Sequence, residues 1–375
     1  METTTSRHPR HQDVVVIGAG QAGLAIGFYL AREGRRFVIL DGADAIGAVW
    51  RSRWDSLVLF TPRRYSGLPG LAFPGDPDGY PTRDEVITYL TAYAAEFELP
   101  IELGSRVRSL TRQGGAFLVE LESGDIEANQ VVVATGPFQT PRVPDFAGRL
   151  APEVFQTHSA AYRNRGGIPG GTVLVVGGGN TGFQIAQELS ATHRIHLSVG
   201  GRQMPLPQRV LGRDLFWWLV TTTLFKTTVD SRLGQKLSRR DALIGSSPRA
   251  IRRHGVVLEP RATAASGRTI TFADGSTLEV DAVIWATGFG LDHSWIDLPL
   301  ADPEGRIRQR RGVTVTEGLY FLGLPWQHTR GSALLGWVSE DAAYLAQRIG
   351  AQAANPSAQP LPTLAPAAVG AAETP

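Results

Sequence analysis

The chain has 375 residues, 42% of them hydrophobic and 19% charged, with a net charge of +2. That length allows two or three domains and a sizeable core. A net charge this small is weak evidence for a nucleic-acid partner, and the absence of cysteine excludes disulfides, thiolate metal sites, a cysteine nucleophile and a dithiol relay.

In chain order, METTTSRHPRHQ has no apolar core and is not a signal peptide. Residues 1–11 are expected to be a disordered arm whose His8 and His11 form no metal site. DVVVI, 13–17, reads as a buried parallel strand, followed by Gly18, Gly20 and Gly23 and a helix to about Arg32. RFVIL, ending at Asp41, is a second strand. Thr82 and Glu85 have the spacing of a capping box and open a helix over 82–97. Three runs with turn signals, RVRSLTR, GGAFLVELESG and EANQVVVATG, read as strands.

The pattern then repeats. TVLVVGGGNTGFQIAQELS and RIHLSVGGR match the first strand–loop–helix–strand, and GRTITFADGSTLEVDAVIWATG ends on the same ATG. RNRGGIPGG, 163–171, reads as the hinge into this second unit. The fold class is therefore α/β, with two Rossmann-like dinucleotide-binding domains, the second inserted in a split first. The expected boundaries are 12–165 and 286–350 for the first domain and 166–285 for the second, with a disordered Ala/Pro-rich tail over 351–375. The apolar run LFWWLVTTTLF, 215–225, is too short to span a bilayer, which needs roughly 20 residues. A cytoplasmic location is the expectation.

Each glycine loop follows a strand and opens a helix, as needed to bring a pyrophosphate onto backbone N–H groups at a helix N-terminus. In the first, Gly18, Gly20 and Gly23 are followed by Asp41, an acceptor for ribose hydroxyls, which suits FAD. In the second, Gly177, Gly179, Asn180, Thr181 and Gly182 are followed by Gly200, Gly201 and Arg202. Loss of the acid and gain of an arginine favour a 2′-phosphate, hence NADPH. Two dinucleotides at once imply hydride transfer from nicotinamide to flavin.

Jointly, GAGQAG at 18–23, IGAVWRSRWDSLVLFTP at 46–62, VVVATG at 131–136, THSAAY at 157–162, GGGNTG at 177–182, VIWATGF at 283–289 and GLYFLGLPWQHTRGSALLG at 318–336 resemble class B flavin-dependent monooxygenases. The group is that of the flavin-containing monooxygenases and YUCCA proteins, and the likeness runs over 12–350. It is nearest the bacterial branch described as cation-transport flavoproteins. The resemblance implies that Trp50 and Arg51 lie along the flavin and that the Val107 backbone contacts adenine. It makes Thr135–Gly136 and Thr287–Gly288 links between the domains. It makes Arg330–Ala333 the start of the last helix, with its N–H groups toward the flavin pyrimidine; Ser332 reads equally as part of that site and as a simple helix cap. His158 and Tyr162 keep the second half of the family's FxGxxxHxxx(Y/F) fingerprint; the glycine is missing. His158 stands between acid–base work and ordering of the linker. The asparagine that amine-oxidising members keep near the flavin is absent, which leaves Thr61 and Gln327 as the candidate polar groups.

The resemblance implies an NADPH-reduced FAD that forms a peroxyflavin with O2 and passes oxygen to nitrogen, sulfur or an activated carbonyl carbon of a small molecule. Competing readings are an NADPH-dependent oxidase or quinone reductase, and a redox sensor that regulates cation transport. Trp217 and Trp218 are candidates for a substrate-pocket wall, a surface touching a membrane or partner, or a core helix. No transmembrane segment and no nucleic-acid partner are expected; peripheral membrane contact and a homodimer stay open.

Overall fold

The computed structural model describes residues 9–239, 242–300, 302 and 307–354. The first unit contains strand β1 (Arg10–Ile17), helix α1 (Gln21–Arg32), β2 (Phe37–Leu40), helix α2 (Arg83–Glu96), β3 (Ile101–Glu102), β4 (Val107–Gln113), β5 (Ala116–Leu121) and β6 (Ile126–Val133). The second contains β7 (Phe155–His158), β8 (Thr172–Val176), α3 (Asn180–Leu189), β9 (Arg194–Ser198), the short helix α4 (Leu215–Thr221), β10 (Val257–Glu259) and β11 (Ala282–Trp285). The chain then returns to the first unit with β12 (Leu319–Phe321) and the last helix α5 (Val338–Ala354).

In the first sheet the parallel order is β3–β2–β1–β6–β12, with β5 and β4 added antiparallel beyond β6. In the second it is β10–β9–β8–β11–β7, all parallel. Both are built alike: a central strand, then neighbours on one side, then a crossover to the other side. The crossover puts the ends of β1 and β6 side by side (Ile17 opposite Val133), and likewise those of β8 and β11 (Val176 opposite Trp285). Such a switch point is where open α/β sheets bind ligands.

The strands read as unbroken apolar runs because both sheet faces are buried. Val14 and Val16 pack under α1, α2 and α5 with Leu24, Ile26, Tyr93 and Val338. Val15 and Ile17 face the other way, onto Leu110, Phe117 and Ile296. Each fully buried Leu or Ile contributes about 1.5–3 kcal/mol. α2 starts on the full capping box: Thr82 accepts from the Glu85 backbone N–H, and Glu85 accepts from that of Thr82.

Three boundaries differ from the sequence reading. β7 pairs with β11, His158 opposite Trp285, so 155–158 belongs to the second sheet and the first domain does not run to 165. FQTH lacks a long apolar run and is recognisable as a strand only through its partner AVIW. The crossing lies earlier, where Thr140–Pro141 pairs antiparallel with Phe289–Gly290; the 163–171 segment lies inside the second unit. At the ends, Arg10 and His11 belong to β1, opposite Ile126 and Glu127, and α5 continues to Ala354. The rest of the expected tails, 1–8 and 355–375, lies outside the described residues.

Candidate functional site: two glycine loops and the turns beside them

The two glycine loops are superposable in their steric logic. Gly18 has φ +112°, and a Cβ on it would lie 2.6 Å from the Ala134 carbonyl oxygen. Gly177 has φ +134°, and a Cβ would lie 2.1 Å from the Ala286 carbonyl oxygen. Each loop therefore leans on the first residue of its own ATG turn, which explains why the ATG recurs. The third glycines, Gly23 and Gly182, let each helix seat on its loop: a Cβ would come within 1.8 Å of the Gly18 oxygen and 2.0 Å of the Gly177 oxygen. The middle glycines differ in kind. Gly20 and Gly179 cap α1 and α3 with extended backbones, and a Cβ on either would meet nothing within 4 Å. Open space over unsatisfied helix-start N–H groups is the cradle that a phosphate fills.

Around the first loop, the Asp41 carboxylate accepts from the Ala19 N–H at 2.7 Å and the Ala43 N–H at 2.9 Å. It braces the loop as well as standing at the strand end. The Asp41 carbonyl accepts from Ser105 N–H, which brings the start of β4, with half-buried Val107, next to the acid. Gln21, at a variable position of the glycine motif, is a connecting residue that sequence reasoning missed. Its Oε1 accepts from Trp50 Nε1 at 3.3 Å, and its Nε2 donates to the Ala333 carbonyl at 3.4 Å. One side chain thus joins the glycine loop, the tryptophan segment and the last turn; no sequence signal marks it. Arg51 is exposed and donates to the Ile46 carbonyl.

Around the second loop, Arg202 is exposed and lines a cleft of about 550 Å³ with Gln203, Arg252 and Glu259. Glu259 is engaged by His196 Nδ1 at 2.7 Å, and Arg261 donates to the Gly200 carbonyl at 2.7 Å. The end of β9 is thus a basic cleft, and Arg252 joins Arg202 there without any signal in its local sequence. Asn180 is the first residue of α3, so its backbone N–H stands at the helix start while its side chain is engaged by the protein. Its amide donates to the Ala242 carbonyl and accepts from Ile244 N–H, both at 2.9 Å, so the side chain braces strand Ala242–Ile244 and is not turned to a ligand. Thr181, half-buried, is the second residue of α3.

The ATG turns lead into the paired linkers. Gly136 and Gly288 have φ +69° and +82°. Gln139 Nε2 donates to Thr135 Oγ1 and the Gly136 carbonyl, and its Oε1 accepts from Asp292 N–H. Thr287 Oγ1 donates to the Arg142 carbonyl. His158 Nδ1 accepts from Ala160 N–H, which leaves Nε2 as the protonated nitrogen, donating to the Gly288 carbonyl at 3.1 Å. Burial holds its pKa below the ordinary histidine value. Both ring nitrogens are thus engaged by backbone, and the ring ties the end of β7 to the second ATG turn. Tyr162 is buried in the core of the second unit.

The expected polar groups near the flavin are committed elsewhere. Gln327 is buried; its Nε2 donates to the Phe321 carbonyl at 2.9 Å and its Oε1 accepts from Leu324 N–H. Thr61 is buried, with its hydroxyl 3.2 Å from Ser66 Oγ; the Ser66 proton goes to the Pro62 carbonyl at 3.0 Å, so Thr61 is the donor of that pair. Arg330–Ala333 is a separate 3-10 turn, and the last helix starts only at Val338 because Leu334 reverts to extended backbone. Ser332 Oγ accepts from the N–H groups of His328 and Thr329 and so acts as a cap.

Of the two candidate tryptophans, Trp218 donates to the Val210 carbonyl and Trp217 packs edge-on to it under Arg213. They form the half-exposed side of α4. The buried side is Phe216, stacked at 6.0 Å on Phe60 and 5.5 Å from Trp337. Phe216, not the tryptophan pair, carries α4 onto the first unit. Leu211, at the preceding hairpin tip, is 86% exposed with φ +49°. Among the described residues there is no histidine–carboxylate cluster able to hold a metal, and no helix is long and apolar enough to cross a membrane.

Two Rossmann-like units, each with a glycine loop against its own ATG turn, define an oxidoreductase for two dinucleotides. The family model for pyridine nucleotide-disulphide oxidoreductases matches residues 15–209. An "uncharacterized oxidoreductase CzcO-like" of Geobacillus kaustophilus is 48% identical over 89% of this chain and 97% of its own length. Indole-3-pyruvate monooxygenase YUCCA4 of Oryza sativa is 31% identical over 89% of this chain and 86% of its own. Among solved structures, a flavin-containing monooxygenase from Stenotrophomonas maltophilia has a TM-score of 0.78 and 29% identity over 92% of this chain and 99% of that one. The chain belongs to the pyridine nucleotide-disulphide oxidoreductase family and, within it, to the class B flavin monooxygenase group. It is a flavin-dependent oxidoreductase with FAD and NADPH as cofactors. With no cysteine in the chain, the disulphide chemistry of the family's name is closed to it.

Proposed function

We propose that the enzyme is a monooxygenase in which the first loop holds FAD, the second holds NADPH, and one atom of O2 is transferred to a nitrogen, sulfur or activated carbonyl carbon of a small organic substrate. The overall balance is substrate, O2, NADPH and a proton going to oxygenated substrate, NADP+ and water. The carrying observation is the pair of open glycines, Gly20 and Gly179, each at a helix start beside a switch point. When bound, the two cofactors supply the hydride and the activation of oxygen. The chain's own residues bind and orient. The free N–H groups at the starts of α1 and α3 face the phosphates, and Asp41 meets the ribose at the first strand end. Val107 lies where a backbone contact to adenine forms, and Arg202 with Arg252 favours a 2′-phosphate. Gln21 joins Trp50 to the turn at Ala333 and so holds the tryptophan segment beside the Arg330–Ala333 turn. The aromatic seam of Phe60, Phe216 and Trp337 excludes water on one side. Thr135–Gly136 and Thr287–Gly288 carry the two loops toward each other.

One observation favours the oxidase or reductase reading as the second choice: the hydroxyl of Thr61 and the amide of Gln327 are both spent internally, so neither is offered to activated oxygen. The test is NADPH oxidation by the FAD-loaded enzyme with peroxide measured alongside, with and without a tertiary amine, a thioether and a 2-oxo acid. Substrate-stimulated turnover with peroxide well below the NADPH consumed supports the monooxygenase. Peroxide equal to NADPH under every condition establishes the oxidase.

A further inference from the structure

Arg53 has no role in the reading above, and its surroundings are unusual. It is 8% exposed. Its guanidinium lies 4.2 Å from the ring centre of Phe138 and 5.2 Å from that of Phe289. Those residues follow the two ATG turns, Phe138 two places after Gly136 and Phe289 directly after Gly288. The cation therefore sits between the linkers, at the junction of the two units.

Among the described residues no carboxylate pairs with it. The nearest acid along the chain, Asp55, is taken by Arg83 at 2.6 Å and by Asn164 at 2.7 Å. His158, close enough for Arg53 to help hold its pKa down, has both nitrogens engaged by backbone. Burial alone pulls the guanidinium pKa down to about 10, with no acid to offset it. Two aromatic faces compensate part of the lost hydration of a cation, but a buried charge is ordinarily paired. The backbone here is also fixed: the Arg53 carbonyl accepts from both Arg83 and Arg163. Phe138 and Phe289 meet each other edge to face at 5.3 Å, so Arg53 packs against both rings at their junction; Phe138 is itself 50% exposed, so this corner opens to solvent on one side.

We propose that Arg53 is an anion-binding residue that receives a phosphate or carboxylate oxygen of a ligand lying across the junction. The shared chemistry is a charge-assisted hydrogen bond to a planar guanidinium packed against two aromatic rings. A phosphate would come from the dinucleotide of the second loop, and a carboxylate from an acidic substrate. The phosphate source rests on the two-cofactor reading; the carboxylate source does not.

The experiment uses the full-length, FAD-loaded enzyme and two probes, NADP+ and phenylpyruvate, titrated by the flavin difference spectrum. R53M packs against the two rings without charge, and R53K keeps the charge. R53Q replaces R53M if that variant does not load FAD. At least one probe should bind tenfold or more weakly to R53M while R53K stays within about threefold of the wild type. Weakening confined to NADP+ names the phosphate, and weakening confined to phenylpyruvate names the carboxylate. Affinities for both probes unchanged in R53M, including failure of both proteins to bind phenylpyruvate, would overturn the proposal. So would equal losses in R53M and R53K, because packing rather than charge would then be at work.

Discussion

The middle glycines give the sharpest test of the two-site reading. Alanine at Gly179 places a Cβ where the protein has nothing within 4 Å. The backbone there, φ −84° and ψ 179°, is extended and open to alanine. Restricting the unfolded chain favours the variant by roughly 0.4–1 kcal/mol, and alanine is a poorer N-cap than glycine by a similar amount. The net change in stability is therefore within about 1 kcal/mol, or about 3 °C in Tm. The bound cofactor meets the new methyl instead. Displacing its phosphate from one charge-assisted N–H contact costs about 1.5–3 kcal/mol, which raises Kd by roughly tenfold to a hundredfold. G179A should therefore purify yellow, melt like the wild type and bind NADP+ 10–100-fold more weakly. G20A, by the same reasoning at the first loop (φ −77°, ψ −175°), should melt normally as apoprotein and purify with little FAD. Flavin absorbance per protein and NADP+ titration read both. If G179A lost FAD but kept NADP+ affinity, the assignment of cofactors to loops would be reversed. Unchanged affinities in both variants would mean that neither loop cradles a phosphate.

Three further outcomes follow from other residues. R202A should raise the KM for NADPH by about tenfold, the loss of one charge-assisted contact, while kcat/KM for NADH stays within twofold; equal losses for both would remove the 2′-phosphate from the argument. Q327L leaves the Phe321 carbonyl without its partner and should cost about 1–3 kcal/mol in urea unfolding. NADPH reduction of the FAD-loaded fraction should be unchanged, and a specific loss there would restore Gln327 as a site residue. Burial lowers the pKa of His158, His293 and His328, so below the ordinary histidine value of about 6.5 the unfolded chain binds more protons than the folded one. Stability rises with pH in that window, and the urea midpoint should fall between about pH 7.5 and 5.5; a rise on acidification would contradict the burial of these rings.

What was legible in the sequence was what local pattern dictates. Val14–Ile17 and Val173–Val176 announce buried strands by their unbroken apolar character, the glycines announce the turns, and Thr82 with Glu85 announces α2 by reciprocal hydrogen bonds three residues apart. What local pattern leaves open is where a side chain points. Asn180, Thr61 and Gln327 sit at motif positions that lie near a ligand in sequence terms, yet each polar side chain is claimed by a protein partner, backbone for Asn180 and Gln327 and the Ser66 hydroxyl for Thr61. Asn180 answers to Ala242 and Ile244, more than sixty residues away. The β7 boundary failed for the same reason: an edge strand of four residues is defined by its pairing. Gln21 and Arg252 went unnoticed because their partners come from distant segments.

The two units repeat each other in strand order, loop sterics and ATG contact, but repetition alone would yield two independent sites. The residues that connect them are the ones without a counterpart in the repeat. Gln139 ties the first ATG turn to Asp292 beyond the second, His158 reaches from β7 to Gly288, and Arg53 packs against both Phe138 and Phe289. All three act at the paired segments Thr140–Pro141 and Phe289–Gly290, the antiparallel link between the linkers. A hydride donor in one unit must approach an acceptor in the other to within contact distance, and a misplacement of about 1 Å can cost a hundredfold in rate. The demand for accuracy therefore falls on this crossing rather than on either loop. Substitutions there should slow flavin reduction by NADPH more than they weaken the binding of either cofactor, whereas substitutions at Gly20 or Gly179 should do the reverse. Rapid-reaction traces of Q139A, compared with its NADP+ affinity and FAD content, separate the two. Slowed reduction with intact binding places the coupling at the linkers, and an unchanged rate places it elsewhere.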